Sequence, residues 1–382
     1  MGLTLIYVLA GLQLLGVLVV AASTARNLRS TRPPAARPYA ARELPTLTVA
    51  IPARNETQSL EECLQSLVAS DYPKLEVLVL DDCSQNQRTP TIIKAFAQSG
   101  VRFLAGTVPP DSWLAKNHAY HQLAAEANGE LLLFCGADTR FEPRSLTSLV
   151  TLLLRQELDM VSVLPKNLSK HRLGLLQLLI QPNRYAWELG LPRRLARRPP
   201  VLSTCWLIGR ATLKKAGGFE ATRHSILPEA YLARYTANSG DRYRFWQSDP
   251  SLGVTSLKSS EEQRDTAVRM RFPQLHRRLV MVVLVSLVEL ALFVWPLIML
   301  VVAGVFQFWW LAALSGLTFA VASLTHSAIV DLTYRRFLLR GLFIVPLAAL
   351  YDVWLLNYSM WRYKTGEVIW KGRNICLPLN QG

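Results

Sequence analysis

Polar and acidic residues follow three apolar runs of this sequence, at the point where each run ends. Val49–Ile51 leads into Pro52-Ala53-Arg54-Asn55-Glu56, Val79-Leu80 into Asp81-Asp82-Cys83-Ser84, and Leu132–Cys135 into Gly136-Ala137-Asp138. Buried parallel strands read as short apolar runs, and their carboxyl ends meet at one edge of a sheet. Carboxylates there can accept nucleobase hydrogens or hold a hard cation. The pattern predicts a ligand-binding edge on an α/β fold.

The segments around these runs alternate between strand and helix patterns. The apolar spacing predicts strands at Leu47–Ile51, Glu76–Leu80, Val101–Ala105 and Leu131–Phe134, with helices at Ser59–Ala69, Thr89–Gln98 and Asn117–Ala127 between them. This alternation is typical of βαβ units. It predicts a Rossmann-like, doubly wound, mostly parallel sheet.

Four other segments are apolar enough to lie in a membrane. Leu3–Ala22 is uncharged, has about the length that crosses a bilayer, and is followed by arginines, so we expect a retained anchor rather than a signal peptide. Segments 279–302 and 306–327 predict a transmembrane hairpin. Segment 341–360 carries Asp352 and Asn357, so it is either a further span or a helix lying in the interface.

The formal net charge of +15 could indicate a protein that binds nucleic acid. The positions of the basic residues favour a different explanation. Many arginines flank the predicted spans, which is the pattern of membrane topology and of contact with anionic lipid head groups. We therefore expect no nucleic-acid partner, an integral protein of the plasma membrane, and residues 23–278 in the cytoplasm. The flanking arginines are Arg26, Arg29, Arg32, Arg37, Arg42, Arg269, Arg271, Arg277, Arg278, Arg335, Arg336 and Arg340.

These patterns predict five segments along the chain. They are an anchor at 1–24, a basic, Pro-rich linker at 25–45, a catalytic domain at 46–276, a membrane region at 277–360 and a basic polar tail at 361–382. The five cysteines are irregularly spaced, which fits a reducing compartment and no zinc site.

The motifs taken together resemble family 2 glycosyltransferases of the GT-A fold, over about Thr46 to His276. Within that family, the sequence is most similar to membrane-bound bacterial enzymes that glycosylate carotenoids and hopanoids. The resemblance implies a UDP- or GDP-sugar donor, a lipid acceptor and a divalent metal, Mg²⁺ or Mn²⁺. The motifs are Pro52-Ala53-Arg54-Asn55-Glu56, Asp81-Asp82-Cys83-Ser84, Trp113-Leu114-Ala115-Lys116-Asn117, Gly136-Ala137-Asp138 and the tail Val368-Ile369-Trp370-Lys371-Gly372-Arg373.

The resemblance assigns roles on the donor side. Asp138 matches the last residue of the family's Asp-x-Asp signature and is the predicted metal ligand, although Gly136 replaces the first aspartate. Asp82 matches the residue that contacts the nucleobase, and Asp81, Glu56 and the loop Pro52-Ala53-Arg54 shape the same pocket. Lys116 matches a lysine beside the donor. Each has a structural alternative: Asp138, Asp81 and Asp82 as turn residues, and Lys116 as a solvated cation at a helix start.

A general base must also deprotonate the acceptor hydroxyl. Glu229, in Pro228-Glu229-Ala230-Tyr231-Leu232-Ala233-Arg234, falls on the position of the family's catalytic aspartate when Leu232-Ala233-Arg234 is kept in register. Its alternative role is that of a first-turn glutamate favoured by the helix dipole. Glu220 and His224 are the reserve candidates for the base.

The Gln-x-x-Arg-Trp motif of many processive members is missing from this sequence. Arginines persist in the matching stretch, where Arg269 and Arg271 could pair with the leaving diphosphate or anchor a helix at the lipid surface. We therefore expect an inverting transfer of one sugar to a hydroxyl of an isoprenoid lipid, with a carotenoid first. A hopanoid, a glycolipid or a polyprenyl phosphate as acceptor, and a catalytically inactive membrane scaffold, are the alternatives.

Overall fold

Seven strands form one large sheet, and the side chains along each strand point alternately to its two faces. The computed structural model describes residues 2–35, 39–168, 174–192, 199–334 and 338–376. The strands within them are β1 (Leu47–Ala53), β2 (Leu75–Asp81), β3 (Val101–Ala105), β4 (Leu131–Cys135), β5 (Thr139–Phe141), β6 (Met160–Leu164), β7 (Lys166–Asn167), β8 (Cys205–Gly209), β9 (Tyr243–Gln247), β10 (Val254–Ser256), β11 (Ile369–Trp370) and β12 (Arg373–Asn374). The order in the large sheet is β3-β2-β1-β4-β8-β6-β9. β5, β10 and β7 form a smaller sheet.

The pairing within the large sheet is mostly parallel. β1 pairs in parallel with β2 and β4, β2 with β3, and β6 with β9. β8 runs antiparallel between β4 and β6. The predicted mixed α/β fold with a doubly wound, mostly parallel sheet is therefore confirmed.

Helices cover the sheet on both faces because successive strand residues point in opposite directions. In β1, the buried Val49 and Ile51 join one apolar cluster, whereas Ala50 between them joins another. On the second face, the ring of Phe134 stacks on that of Trp206 with ring centroids 4.5 Å apart. Such packing leaves the strand ends, rather than the strand faces, for binding.

The helices fall into short, sheet-covering ones and long, apolar ones. They are Gly2–Ser30, Gln58–Val68, Arg88–Ala95, Ala115–Glu126, Ser145–Arg155, Leu175–Leu189, Arg210–Lys215, Pro228–Asn238, Ser260–Gln274, Leu279–Glu289, Trp295–Val305, Trp309–Tyr334 and Leu338–Lys364. A π-helical turn at Leu290–Val294 precedes Pro296, which has no backbone N–H to donate within a helix.

Among the described residues, four helical segments are long and apolar enough to cross a membrane. They are Gly2–Ser30, Leu279–Val305, Trp309–Tyr334 and Gly341–Lys364. The sequence predicted all four segments, and the helices extend beyond the predicted ends by a few residues. The fourth helix is long enough to span, so both alternatives for it, a span or an interfacial helix, stay open.

The chain forms two compact units. The sheet unit comprises residues 31–168, 198–257 and 371–382, and the helical unit comprises residues 1–30, 169–197 and 258–370. The helices Leu175–Leu189 and Ser260–Gln274, which lie within the predicted domain of residues 46–276, belong to the helical unit. The bounds of that domain stay a prediction. Arg37, Arg335 and Arg336, and tail residues 377–382, lie outside the described residues.

Candidate functional site

The carboxyl ends of β1 and β2 bring the first two predicted motifs together. Ala53 is paired with Asp81 in the parallel register, and the Asp82 N–H donates to the Ala53 carbonyl at 2.8 Å. β4 pairs with the other edge of β1, and Gly136-Ala137-Asp138 follows its last residue. The acidic residues therefore end neighbouring strands at one edge of the sheet, as the sequence predicts.

The two aspartates of the Asp81-Asp82 pair have different surroundings. Asp81 Oδ1 accepts from the Ser84 N–H at 3.2 Å, so it stabilises a turn in which Cys83 has a positive φ of 51°. Asp82 is nearly buried, with 5% of its side chain exposed. The turn contact favours a structural role for Asp81, whereas Asp82 is a buried charge that needs a partner.

Arg373 is the partner of Asp82. Arg373 Nη1 donates to both carboxylate oxygens of Asp82 at 2.7 Å, and Arg373 Nη2 lies 3.3 Å from the Asp82 carbonyl. Burial raises the pKa of the Asp82 carboxyl above its ordinary value, and the neighbouring Arg373 and Arg54 guanidinium groups partly offset that effect.

Arg54 and Glu56, from the loop after β1, contact the same C-terminal turn. Arg54 Nη1 donates to the Asp82 carbonyl at 2.6 Å, and its Nε donates to the Lys371 carbonyl at 2.9 Å. The Glu56 carboxylate forms an ion pair with Lys371 Nζ. Burial, followed by the nearby charge of Arg373, lowers the pKa of Arg54. The predicted donor residues after β1 and β2 thus form a cluster with both acidic and basic side chains.

Asp138 is the carboxylate that could face a metal ion. It is half-buried, and its Oδ2 accepts from Ser256 Oγ at 2.6 Å. A Cβ added at Gly136 would overlap Asp138 Oδ1, so the missing first aspartate leaves the space that the Asp138 carboxylate occupies. In the described part of the chain, no group of three or more His, Cys, Asp and Glu side chains could hold a metal ion.

A site with one protein carboxylate still fits Mg²⁺ or Mn²⁺. Mg²⁺ keeps several waters and is held by one or two carboxylates together with substrate phosphates. The Ser256 hydroxyl fixes one oxygen of Asp138, as hydrogen bonds around metal ligands commonly do. Asp138 therefore has the chemistry to hold a cation when a diphosphate supplies the other ligands.

Glu229 lies in the first turn of the helix Pro228–Asn238 and is 1% exposed. Its Oε2 lies 3.4 Å from Lys116 Nζ. Its other oxygen, Oε1, is buried and accepts no hydrogen bond from the residues that the structure describes. A buried acceptor left in this state costs about 1–3 kcal/mol.

The residue after Lys116 explains why these two side chains meet. Asn117 Nδ2 donates to the carbonyls of Thr222 and Ser225, at 2.6 and 2.7 Å. These bonds tie the start of the helix Ala115–Glu126 to the loop that leads into the helix of Glu229. Lys116 and Glu229, predicted separately for the donor and acceptor sides, thus form one ion pair.

The two predicted arginines of the missing Gln-x-x-Arg-Trp motif lie in the helical unit. The guanidinium of Arg269 lies over the Trp370 ring, 5.0 Å from its centroid. Arg271 is 2% exposed, forms an ion pair with Asp352 and lies 4.8 Å from the ring centroid of Trp187. These contacts are structural, and a role for either arginine at the donor stays a prediction.

No role was predicted from the sequence for Lys371 and Arg373, although both belong to the Trp370-Lys371-Gly372-Arg373 motif. Two cations on either side of a glycine were the feature of that motif that could have indicated a binding role. Ser256 was also not predicted, because nothing in its local sequence distinguishes it.

The comparison with protein families decides the kind of domain that carries this site. Residues 48–214 match the family described as glycosyl transferase family 2. This stretch, just under half of the chain, is therefore similar to a glycosyl transferase family 2 domain. The matched residues cover all but the first residue of β1 and the strands β2–β8, and therefore the strand ends with Asp82 and Asp138.

Two curated proteins are distant relatives of the family 2 domain. The chain is 26% identical over 229 residues to a probable glycosyltransferase, YdaM, of Bacillus subtilis, covering 55% of this chain and 52% of that protein. It is 28% identical over 128 residues to the 4,4'-diaponeurosporenoate glycosyltransferase of Staphylococcus aureus, covering 32% of each chain. The chain thus spans about half, or less, of the length of these relatives.

A solved structure shares the fold. A mannosyltransferase from Pyrobaculum calidifontis, solved with GDP-mannose and Mn²⁺, aligns with a TM-score of 0.56 over 94% of this chain and 97% of that one. The sequences are 17% identical, so the likeness concerns the fold.

Proposed function

We propose that this chain is a membrane-anchored, inverting glycosyltransferase. It moves a single sugar from a UDP- or GDP-sugar to a hydroxyl of an isoprenoid lipid, and a carotenoid is the acceptor class to test first. The observation that carries the proposal is the buried Glu229 carboxylate, whose Oε1 accepts no hydrogen bond within the described residues. An acceptor hydroxyl would donate to this oxygen and remove the cost of leaving it unpaired.

The reaction assigns Glu229 the role of general base. Its carboxylate takes the proton of the acceptor hydroxyl as the hydroxyl oxygen attacks the anomeric carbon of the donor sugar. The bond from that carbon to the diphosphate oxygen breaks, the electron pair leaves with the nucleoside diphosphate, and the anomeric configuration inverts. The ion pair with Lys116 holds the Glu229 carboxylate in position for this step.

The donor is bound at the strand ends. Asp82 accepts a nucleobase hydrogen, Asp138 holds the divalent cation, and Pro52, Ala53, Arg54, Glu56 and Asp81 form the surrounding wall. When bound, Mg²⁺ or Mn²⁺ neutralises the charge that develops on the leaving diphosphate. The neighbour solved with GDP-mannose and Mn²⁺ supports this class of donor and metal. Arg269 and Arg271 stay in the proposal as further diphosphate contacts.

The four long apolar helices support a membrane location for the acceptor. A soluble sugar nucleotide arrives from water, whereas an isoprenoid lipid diffuses within the bilayer. Basic residues beside the spans, such as Arg277 and Arg278 before the helix that begins at Leu279, favour a catalytic domain on the cytoplasmic side. The protein itself is then an integral protein of the plasma membrane. The similarity to the staphylococcal enzyme supports a carotenoid over a hopanoid or glycolipid.

Sugar transfer by the purified full chain in proteoliposomes tests the proposal. The assay supplies radiolabelled UDP- and GDP-sugars, Mg²⁺ or Mn²⁺, and a hydroxylated carotenoid, a hopanoid alcohol or a polyprenyl phosphate. The variant Glu229→Gln keeps the shape of the side chain but removes the base, so we expect kcat on the hydroxyl acceptor to fall about 100-fold or more. Glu157→Gln, at an exposed surface pair with Arg242, is the matched control.

Each outcome of these experiments supports a different function. A fully active Glu229→Gln enzyme would assign the acceptor to the polyprenyl phosphates, because a phosphate acceptor needs no base. Absence of transfer from every donor, combined with unchanged lipid and pigment extracts in cells lacking the chain, would favour the inactive scaffold. Loss of one glycosylated carotenoid from such cells would identify the acceptor.

A further inference from the structure

Two cations from one turn near the end of the chain hold two acidic residues of the proposed donor pocket. Arg373 binds both oxygens of Asp82 at 2.7 Å, and Lys371 forms an ion pair with Glu56. All four side chains belong to the sheet unit. The pairs join residues that are 291 and 315 positions apart, so the turn returns to the ends of the first two strands.

The turn holds a conformation that most residues avoid. Lys371 has a φ of 47° and Gly372 a φ of 80°, both in the left-handed region. A side chain with a Cβ, such as that of Lys371, is disfavoured in this region. The Lys371 carbonyl accepts from Arg54 Nε at 2.9 Å, so the pocket itself holds the strained residue in place.

With Arg373 in this position, the Asp82 carboxylate is not open to a nucleobase. The side chain of Asp82 is 5% exposed, and both its oxygens already accept from one guanidinium nitrogen. The side chain of Arg373 is 18% exposed, so it has contact with water on one side. The residue best placed to contact the base is thus occupied by a cation that a ligand could draw away.

A nucleoside diphosphate offers a new partner to every group in this cluster. Its base carries N–H groups that a carboxylate accepts, and its diphosphate carries negative charges that Lys and Arg bind. The pocket needs such cations, because the sequence has neither the first aspartate at Gly136 nor the Gln-x-x-Arg-Trp motif. The protein therefore lacks one carboxylate that could hold a metal ion and one arginine-containing motif that could bind the diphosphate.

We propose that Lys371 and Arg373 are diphosphate-binding residues that exchange partners when the donor binds. In the free protein they neutralise Glu56 and Asp82, and in the complex they bind the diphosphate while Asp82 accepts from the base. This inference rests on the proposed function, since it needs a nucleotide-sugar donor. It assigns the Trp370-Lys371-Gly372-Arg373 motif to the donor site.

Partner exchange predicts opposite effects on two kinds of ligand. In Arg373→Ala, a nucleoside diphosphate loses a charged contact, so we expect the affinity for UDP or GDP to fall about tenfold or more. The corresponding nucleoside, uridine or guanosine, has no phosphate to lose and finds Asp82 unmasked, so its affinity should rise severalfold. Lys371→Ala should likewise weaken diphosphate binding.

Isothermal titration of the full chain in detergent with UDP, GDP, uridine and guanosine, each with Mg²⁺, measures these affinities. Arg242→Ala and Lys215→Ala are matched controls, because each removes a cation from a surface ion pair of the sheet unit. Arg373→Lys keeps the charge and should retain part of the diphosphate affinity even if the alanine variant is poorly folded. Asp82→Asn should abolish the gain in nucleoside affinity that Arg373→Ala produces.

The opposite signs separate this inference from its competitors. Weaker binding of both ligands would mean that the turn only builds the pocket wall, and tighter binding of both would mean that it only blocks the pocket. Either result, or no change beyond that of the controls, overturns partner exchange while the proposed function stands. A wild-type protein that binds neither UDP nor GDP would overturn the proposed function itself.

Discussion

Lys116 Nζ lies 3.4 Å from Glu229 Oε2, although 113 residues separate the two side chains in sequence. Within the described residues, the carboxylate of Glu229 has a hydrogen-bond partner at Oε2 and none at Oε1. The ion pair therefore fixes one oxygen of this buried carboxylate and leaves the other for a donor.

Replacing Lys116 by Met should impair proton transfer without removing the base. We expect kcat to fall about tenfold or more, because the buried Glu229 carboxylate loses its ion-pair partner and the orientation that this partner imposes. Steady-state rates of wild type, Lys116→Met and Lys116→Arg would measure this. An unchanged kcat in the methionine variant would contradict it.

Gly136 should control the position of Asp138, the carboxylate proposed to bind the metal ion. In Gly136→Ala, the new Cβ overlaps Asp138 Oδ1 and forces the carboxylate to move. We expect the concentration of Mg²⁺ or Mn²⁺ needed for half-maximal transfer to rise about tenfold, since one displaced ligand costs on the order of 1–2 kcal/mol. Gly174→Ala is the control, because a Cβ there meets no atom within 4 Å. An unchanged metal requirement would argue against Asp138 as the ligand.

The parts of this site that the sequence predicts are those set by local pattern. Strands β1 and β2 follow from apolar runs, and the acidic residues after them fall at one sheet edge because parallel strands end together. The first turn of the helix Pro228–Asn238 follows from a proline and a glutamate at its start. The strand ends and the position of Glu229 are thus readable from residues a few positions apart.

The remaining contacts depend on residues that are far apart in sequence. Nothing local shows that Arg373 reaches Asp82, or that Arg271 pairs with Asp352 rather than lying at a lipid surface. The helix Leu175–Leu189 contains Pro182, Asn183 and Arg184, which weaken its local signal, although all three are buried by the fold. Tertiary packing, rather than local sequence, decides the structure of such segments.

His118 should make the protein less stable in mild acid. Its Nδ1 accepts from Gln122 Nε2 at 3.0 Å, because the Thr107 N–H, at 3.2 Å from Oε1, fixes the orientation of that amide. Burial, with His121 nearby, lowers the pKa of His118 below its ordinary value of 6.5. The unfolded chain then binds more protons below pH 6.5, so the stability from this residue is present above that pH and lost as the pH falls toward the lowered pKa.

Thermal unfolding in detergent checks the effect of His118. We expect the melting temperature of the wild type to decrease more between pH 7.5 and 5.5 than that of His118→Gln, which cannot take up the proton. His224→Gln, at an exposed position, should follow the wild type. Parallel curves for wild type and His118→Gln would count against this assignment.

Removing one charge of the buried ion pair Arg271–Asp352 should destabilise the protein more than removing both. Trp187 Nε1 donates to Asp352 Oδ2 at 2.8 Å, and both charged residues are 2% exposed. Asp352→Ala leaves a buried guanidinium without its carboxylate, which costs about 3–5 kcal/mol. Replacing both charges, as in Arg271→Met with Asp352→Leu, should restore much of the stability, because buried ion pairs are often no better than apolar packing.

Unfolding temperatures of wild type, Asp352→Ala and the double variant in detergent measure this dependence. A double variant as unstable as Asp352→Ala would show that the loss comes from packing or from the Trp187 contact rather than from the unpaired charge. The stable double variant also tests the predicted donor role of Arg271. Reduced affinity for UDP or GDP would support a contact with the diphosphate, whereas unchanged affinity would restrict Arg271 to the structure of the helical unit.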